Sequence, residues 1–151
     1  MSKAFNFSLQ KVLDVREMVE DKKAMGLQKA QAETDQEKRI LASIEAEKER
    51  VAHPEETQDS SEGVSLQSLT TRSAYLDQLN DKIEDQSSQV SISEETAEEK
   101  RQEYIYATKE KMVLEKLKEN HREVYKKKNN QIEIKEESEI ASRISRNEDR
   151  S

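Results

Sequence analysis

The chain has 151 residues, 39% charged and 32% hydrophobic, with a formal net charge of −7, two glycines, one proline and neither cysteine nor tryptophan. That excludes an ordinary globular core, which draws on close to half apolar residues, but it suffices for a narrow seam, because a coiled coil asks for about two apolar positions in seven. No apolar run approaches the ~20 residues that span a bilayer, so long helices and disorder are the readings left, and periodicity has to separate them.

The chain opens on FNFSLQKVLDVRE, residues 5–17, which holds both phenylalanines. Phe5, Phe7 and Leu9 alternate as in a strand, whereas Leu9, Val12, Leu13 and Arg16 have helical spacing. No other segment offers a matching strand. Ser8 as N-cap puts Phe7 at N′ and Val12 at N4, the spacing of a hydrophobic staple, and leaves Phe5 free at the end. The stretch lacks the 7–15-residue apolar run of a signal peptide. Without a secretion route, the Asn6–Phe7–Ser8 match to a glycosylation acceptor is read as chance. The absence of cysteine fits a cytoplasmic protein.

A first helix is predicted over about 8–52, with a stripe of Leu9, Val12/Leu13, Arg16, Val19, Leu27, Ala30, Thr34, Leu41, Ile44 and Val51. AHPEETQDSSEGVS, residues 52–65, holds the only proline and one of the two glycines among turn-forming residues. It predicts a loop over about 53–64. A second helix is predicted over about 65–145. Its seam is Leu69, Leu76, Ile83, Val90, Ala97 and Tyr104, one residue in every seven. A companion row starts at Leu79 and decays into Gln86 and Ser93; beyond Tyr104 the seam runs on through Ala107, Leu114, Leu117, His121 and Val124. The serine-rich stretch over 85–93 is a soft patch or a break; a break would give three shorter helices. A seven-residue repeat on a 3.6-residue helix drifts about 20° per heptad and winds a left-handed supercoil.

These elements predict an all-α fold, a long antiparallel two-helix coiled-coil hairpin forming a single domain over 1–151 with a frayed C-terminal tail. A fold-back about residue 59 sets residue i against residue 118 − i, so that Leu9 lies near Lys109 and Ile44 near Ala74. Both termini then share one end of a thin rod, and α-helix beyond residue 118 overhangs, bends or finds another partner. Charge is sorted along it. Residues 31–62 carry a net −6 and 81–103 a net −5, whereas 109–128 carry +4 and 1–30 carry +2. The basic segments share the terminal end. Such a distribution is either ordinary solubilising surface or a basic end that seats in an acidic partner. Nucleic acid is not the expected partner, because Glu110, Glu115, Glu119 and Glu123 dilute the basic segment.

No catalytic constellation is present. His53 and His121 have no companions at metal-ligand spacing, and Gly26 and Gly63 stand alone. A two-helix seam has no pocket that excludes water and shifts pKa values. No enzyme, cofactor or metal is expected.

FNFSLQKVLDVREMVED, residues 5–21, resembles the opening of the FliJ family, with alternating aromatics, a leucine, a VLxxRE run and acidic residues after it. YATKEKMVLEKLKENHREVY, residues 106–125, is similar to that family's C-terminal LEKLKE helix, and EIKEESEIASR, residues 133–143, to the acidic run before its tail. The resemblance implies a non-enzymatic coiled-coil stalk of the flagellar type III protein export apparatus. Such a stalk inserts into the export ATPase hexamer, promotes its assembly and activity, and engages the export-gate membrane protein's cytoplasmic domain and export chaperones. It is implied to be cytoplasmic, peripheral at the inner face of the cell membrane through its partners, and a monomer alone. Carried onto this chain, ATPase contact falls on Phe5, Leu9, Leu13, Arg16, Leu114 and Leu117, with the basic run Lys126, Lys127 and Lys128. Gate contact falls on Tyr75, Leu79 and Ile83, which match an aromatic-x3-Leu-x3-Ile pattern, though Leu79 and Ile83 equally fit the coil seam. Tyrosines that some members carry late in the first helix have no counterpart in residues 42–51. The equivalent stalk of a virulence injectisome, a self-associating structural coiled coil and a chain that folds only on a partner remain the alternatives.

Overall fold

The computed structural model describes residues 4–54 and 65–150. From residue 55 on, the predicted loop lies outside the described residues. The fold is all-α: α1 (Gln10–Ala52) and α2 (Leu66–Asp149) pack antiparallel as a helical hairpin. Both helices are rich in Glu, Lys, Gln, Ala and Leu, which lose little side-chain freedom in a helix. The two carry interlocking heptad stripes, and most of their stability comes from that packed face. The chain forms two compact units, a central one of Asp21–Ile105 and a terminal one of Met1–Glu20 with Tyr106–Ser151.

In the central unit the α1 seam steps by three and four through Leu27, Ala30, Thr34, Glu37, Leu41 and Ile44, all at least half-buried. On α2 the seam runs through Leu76, Leu79, Ile83, Gln86, Val90, Ser93, Ala97 and Tyr104. Leu79 is 3% exposed, and Ala30 and Ala97 are buried. The buried Thr34 hydroxyl donates to the Ala30 carbonyl at 3.0 Å, a bond within its own helix that leaves no unpaired donor. The companion row does not lapse at Gln86. Its side-chain amide donates to the Glu37 carbonyl oxygen at 2.9 Å and to the Glu37 carboxylate. The serine-rich stretch is helix throughout: Ser87, Ser88 and Ser91 face solvent, while Ser93 takes a seam position. Serine costs a few tenths of a kcal/mol per residue against alanine, too little to break a helix held along its seam.

α2 starts cleanly. The Ser65 hydroxyl accepts from the Ser68 backbone N–H at 3.1 Å, and its carbonyl accepts from Leu69, an N-cap that satisfies otherwise orphaned donors. Leu69 departs from its expected seam role and is 47% exposed. Tyr75 reaches Glu47 on α1. Leu69, six residues ahead of Tyr75 in an antiparallel pair, is therefore level with the end of α1, where the described part of α1 offers it little to pack on.

The pairing register also differs from the expected one. Arg16 meets Glu110, Lys23 meets Glu103 and Lys38 meets Glu94, whereas a fold-back about residue 59 would set them opposite residues 102, 95 and 80. The helices are slid by two turns or more at these pairs because the register follows the interlock of seam residues, not the midpoint of the linker.

In the terminal unit Phe7, Leu13 and Ala107 are buried, and Leu9, Arg16, Glu20, Leu114 and Leu117 are half-buried. The α1 entry differs from the expected staple. The first α-helical bond runs from the Leu13 N–H to the Leu9 carbonyl at 2.9 Å, and Gln10 N–H donates to the Phe7 carbonyl. Val12 is 43% exposed. Phe7 instead sets its ring edge-on to His121 of α2, with centroids 5.7 Å apart. A ring in the interhelical seam sheds more apolar surface than one stapled to its own first turn. Beyond Asn129 every described residue of α2 is exposed.

Candidate docking surfaces

The nine residues expected to meet an ATPase all fall in the terminal unit, where the structure gives them different surroundings. Leu9, Leu13 and Leu114 belong to the seam, and Leu13 is only 3% exposed. Leu117 lies half-buried on its flank, and Lys126, Lys127 and Lys128 are fully on the surface. Arg16 is occupied: its guanidinium donates to the Glu110 carboxylate. Phe5 is not free as expected. It is half-buried, its ring lies 5.6 Å from that of Tyr125, and the Arg122 guanidinium sits 5.5 Å above it. An aromatic and a cation draw it onto α2.

Next to Arg16 lies a pair that the apolar stripe passes over. Glu20, not Val19, holds the heptad position after Arg16, and it accepts from Lys111 Nζ at 2.9 Å. The hydrogen bond from Lys111 holds the Glu20 carboxyl below its ordinary value against desolvation, and Lys111 is pushed up chiefly by the same bond. The Thr108 hydroxyl also holds the carboxyl down, although its oxygen and Glu20 Oε2, both shielded from solvent, fall short of hydrogen-bond geometry. The depressed acid contributes stability above its unfolded value of 4.5, lost as pH falls through the folded value. The raised base contributes stability below 10.5, lost as pH rises through its folded value. Thermal melts followed by circular dichroism should therefore lose midpoint below about pH 4.5, and Glu20→Gln should flatten part of that acid limb. An unchanged limb in Glu20→Gln would remove Glu20 from the account.

In the central unit, the three residues expected at a gate contact separate. Leu79 is buried and Ile83 half-buried in the seam, so both serve the helix pair first. Tyr75 is 37% exposed, and its hydroxyl donates to Glu47 Oε1 at 3.2 Å. Partial desolvation and then the Glu47 carboxylate raise its pKa. An open groove beside it is lined by Val51, Thr71 and Arg72. Among the described residues no group of three or more acidic or histidine side chains could hold a metal, and no helix is long and apolar enough to cross a membrane.

An antiparallel helical hairpin with charged seam positions and exposed tyrosines at Tyr75 and Tyr106 defines a class of two-helix coiled-coil proteins. A family model described as flagellar FliJ protein matches residues 5–150, nearly the whole chain. The chain belongs to the FliJ family, and with it to the flagellar export apparatus. Neither a search of curated proteins nor one of solved structures returned a match.

Proposed function

We propose that the protein is the non-enzymatic stalk of flagellar export. Its terminal unit inserts into the export ATPase ring and promotes ring assembly and ATP turnover. Its central unit engages the cytoplasmic domain of the export-gate membrane protein through Tyr75, and the stalk also serves export chaperones. These partners hold a cytoplasmic monomer at the inner face of the membrane. The observation that carries this reading is the family match over residues 5–150. The antiparallel pairing and the exposed lysines at 126–128 support it. Because the matching family is the flagellar one, the injectisome counterpart is the weaker alternative.

Added to the cognate export ATPase, the protein should raise the hexamer fraction in sedimentation and increase ATP turnover; no change in either would reject the stalk. Reversing Lys126, Lys127 and Lys128 to Glu should weaken the effect at low salt. The difference from the unaltered protein should shrink as salt rises, because the Debye length falls from about 10 Å at 0.1 M to about 3 Å at 1 M. An equal deficit at every salt concentration would mean that the run acts other than by charge.

A further inference from the structure

The terminal unit leaves an apolar face uncovered on one flank of its seam. Two polar pairs fix which flank is which. Arg16 with Glu110 marks one side, and Glu20 with Lys111 and Thr108 the other. Val12 lies four residues before Arg16, and Val15 three after Val12, so both are on the Arg16 side of α1. On α2, Leu117 follows Glu110 by seven residues and Val113 by three, while Tyr106 precedes it by four. These too are on the Glu110 side. Val12, Val15, Tyr106 and Val113 are 43%, 55%, 64% and 68% exposed, although they are aliphatic or aromatic. The other flank carries Gln10 and Glu17 on α1 and Thr108 and Glu115 on α2, with Met112, 56% exposed, at its outer edge. Exposed apolar side chains are thus concentrated on the Arg16–Glu110 flank, where they come from both helices, which solubility alone does not call for.

The outer rim of this face is basic. Lys11 lies one turn from Val15 on α1, and Lys109 and Lys116 lie one turn from Tyr106 and Val113 on α2, all three exposed. We propose that the face binds a third helix: an amphipathic partner helix whose aliphatic row lies along Val12, Val15, Val113 and Leu117 and whose flanks carry Glu or Asp against these lysines. A second copy of the chain would bring the same lysines onto themselves. A bilayer would have to take up the Arg16–Glu110 ion pair that lies along the strip, and no tryptophan or phenylalanine stands on the face to anchor it. This inference does not depend on the export reading.

The test uses the full chain and a fluorescent synthetic helix of about 25 residues, long enough to be largely helical, with Leu at three- and four-residue spacing and Glu flanks. A twin carries Lys flanks. By fluorescence anisotropy the Glu-flanked helix should bind saturably and the Lys-flanked twin at least tenfold more weakly. Val15→Ser with Val113→Ser should lower affinity at least tenfold with the circular dichroism spectrum unchanged, because both side chains are more than half exposed. Glu17→Gln on the opposite flank should leave affinity unchanged. Lys109→Glu with Lys116→Glu should reverse the preference between the probes, an arm that leaves the apolar residues intact. No saturable binding, equal binding of both probes, or indifference to the double serine variant would overturn the proposal. So would sedimentation showing that the chain dimerises through Val15 and Val113, or phosphatidylserine vesicles captured through these two residues in place of the helix.

Discussion

Leu79→Ala should lower the free energy of unfolding by about 3 kcal/mol, read from denaturant unfolding with an unchanged slope. Leu79 is 3% exposed in a seam that offers few other large side chains at such burial. Its removal therefore takes away transfer energy and leaves a void between two helices that are too regular to collapse into it. The position also falls within the pattern Tyr75, Leu79, Ile83 that resembles a gate contact, so the substitution decides between two roles. Tyr75→Ala should move the thermal midpoint much less than Leu79→Ala, because Tyr75 is 37% exposed against 3% for Leu79 and its bond to Glu47 is exposed. It should nonetheless weaken binding to the gate's cytoplasmic domain. If Leu79→Ala kept full stability and lost gate binding, Leu79 would be a contact residue and the seam assignment would fall.

The second large effect is at the chain entry. Phe7→Ala should cost about 3 kcal/mol locally, since Phe7 is 4% exposed and is edge-on to His121. It should show as faster amide hydrogen exchange over the first turns of α1, from Leu13 onward, with exchange in the central unit little changed. Phe5→Ala should cost about 1 kcal/mol, the scale of one aromatic pair and one partly exposed cation–π contact. Exchange at Leu13 as slow in Phe7→Ala as in the unaltered chain would show that the ring does not hold the entry.

The heptad row from Leu76 to Tyr104 was legible because hydropathy and period agree there, and it carries the all-α hairpin with it. The α1 seam was harder to read where its slots are charged. Arg16, Glu20 and Lys23 continue the three-and-four stepping of Leu9 and Leu13, but hydropathy favours Val19 over Glu20, and it is spacing alone that picks out Glu20. The pairing register was not legible, because sliding one helix by a heptad preserves most of an apolar stripe; the cross-helix pairs Arg16–Glu110 and Lys23–Glu103 are what distinguish one register from the next. At the candidate surfaces, periodicity marks what is buried. It identified Leu13 and Leu79 and passed over Val15 and Val113, which matter through being left out of the seam. Phe5 was misread because Tyr125 and Arg122 lie more than a hundred residues away in sequence.

The buried apolar set is small: Phe7, Leu13, Ala30, Leu79, Ala97 and Ala107, half of it alanine, with no large side chain wholly enclosed among the described residues. Alanines let two helices approach closely but shed little surface each. With so small a buried set, any partner that binds only the folded form would add a large share to its stability. A partner present at a hundred times its dissociation constant adds about 2.7 kcal/mol, comparable with the loss of a seam leucine. Copies without a place in an assembly open more often, and proteolysis that tracks the open population removes them first. The thin seam would thereby match the number of surviving copies to the number of places waiting for them.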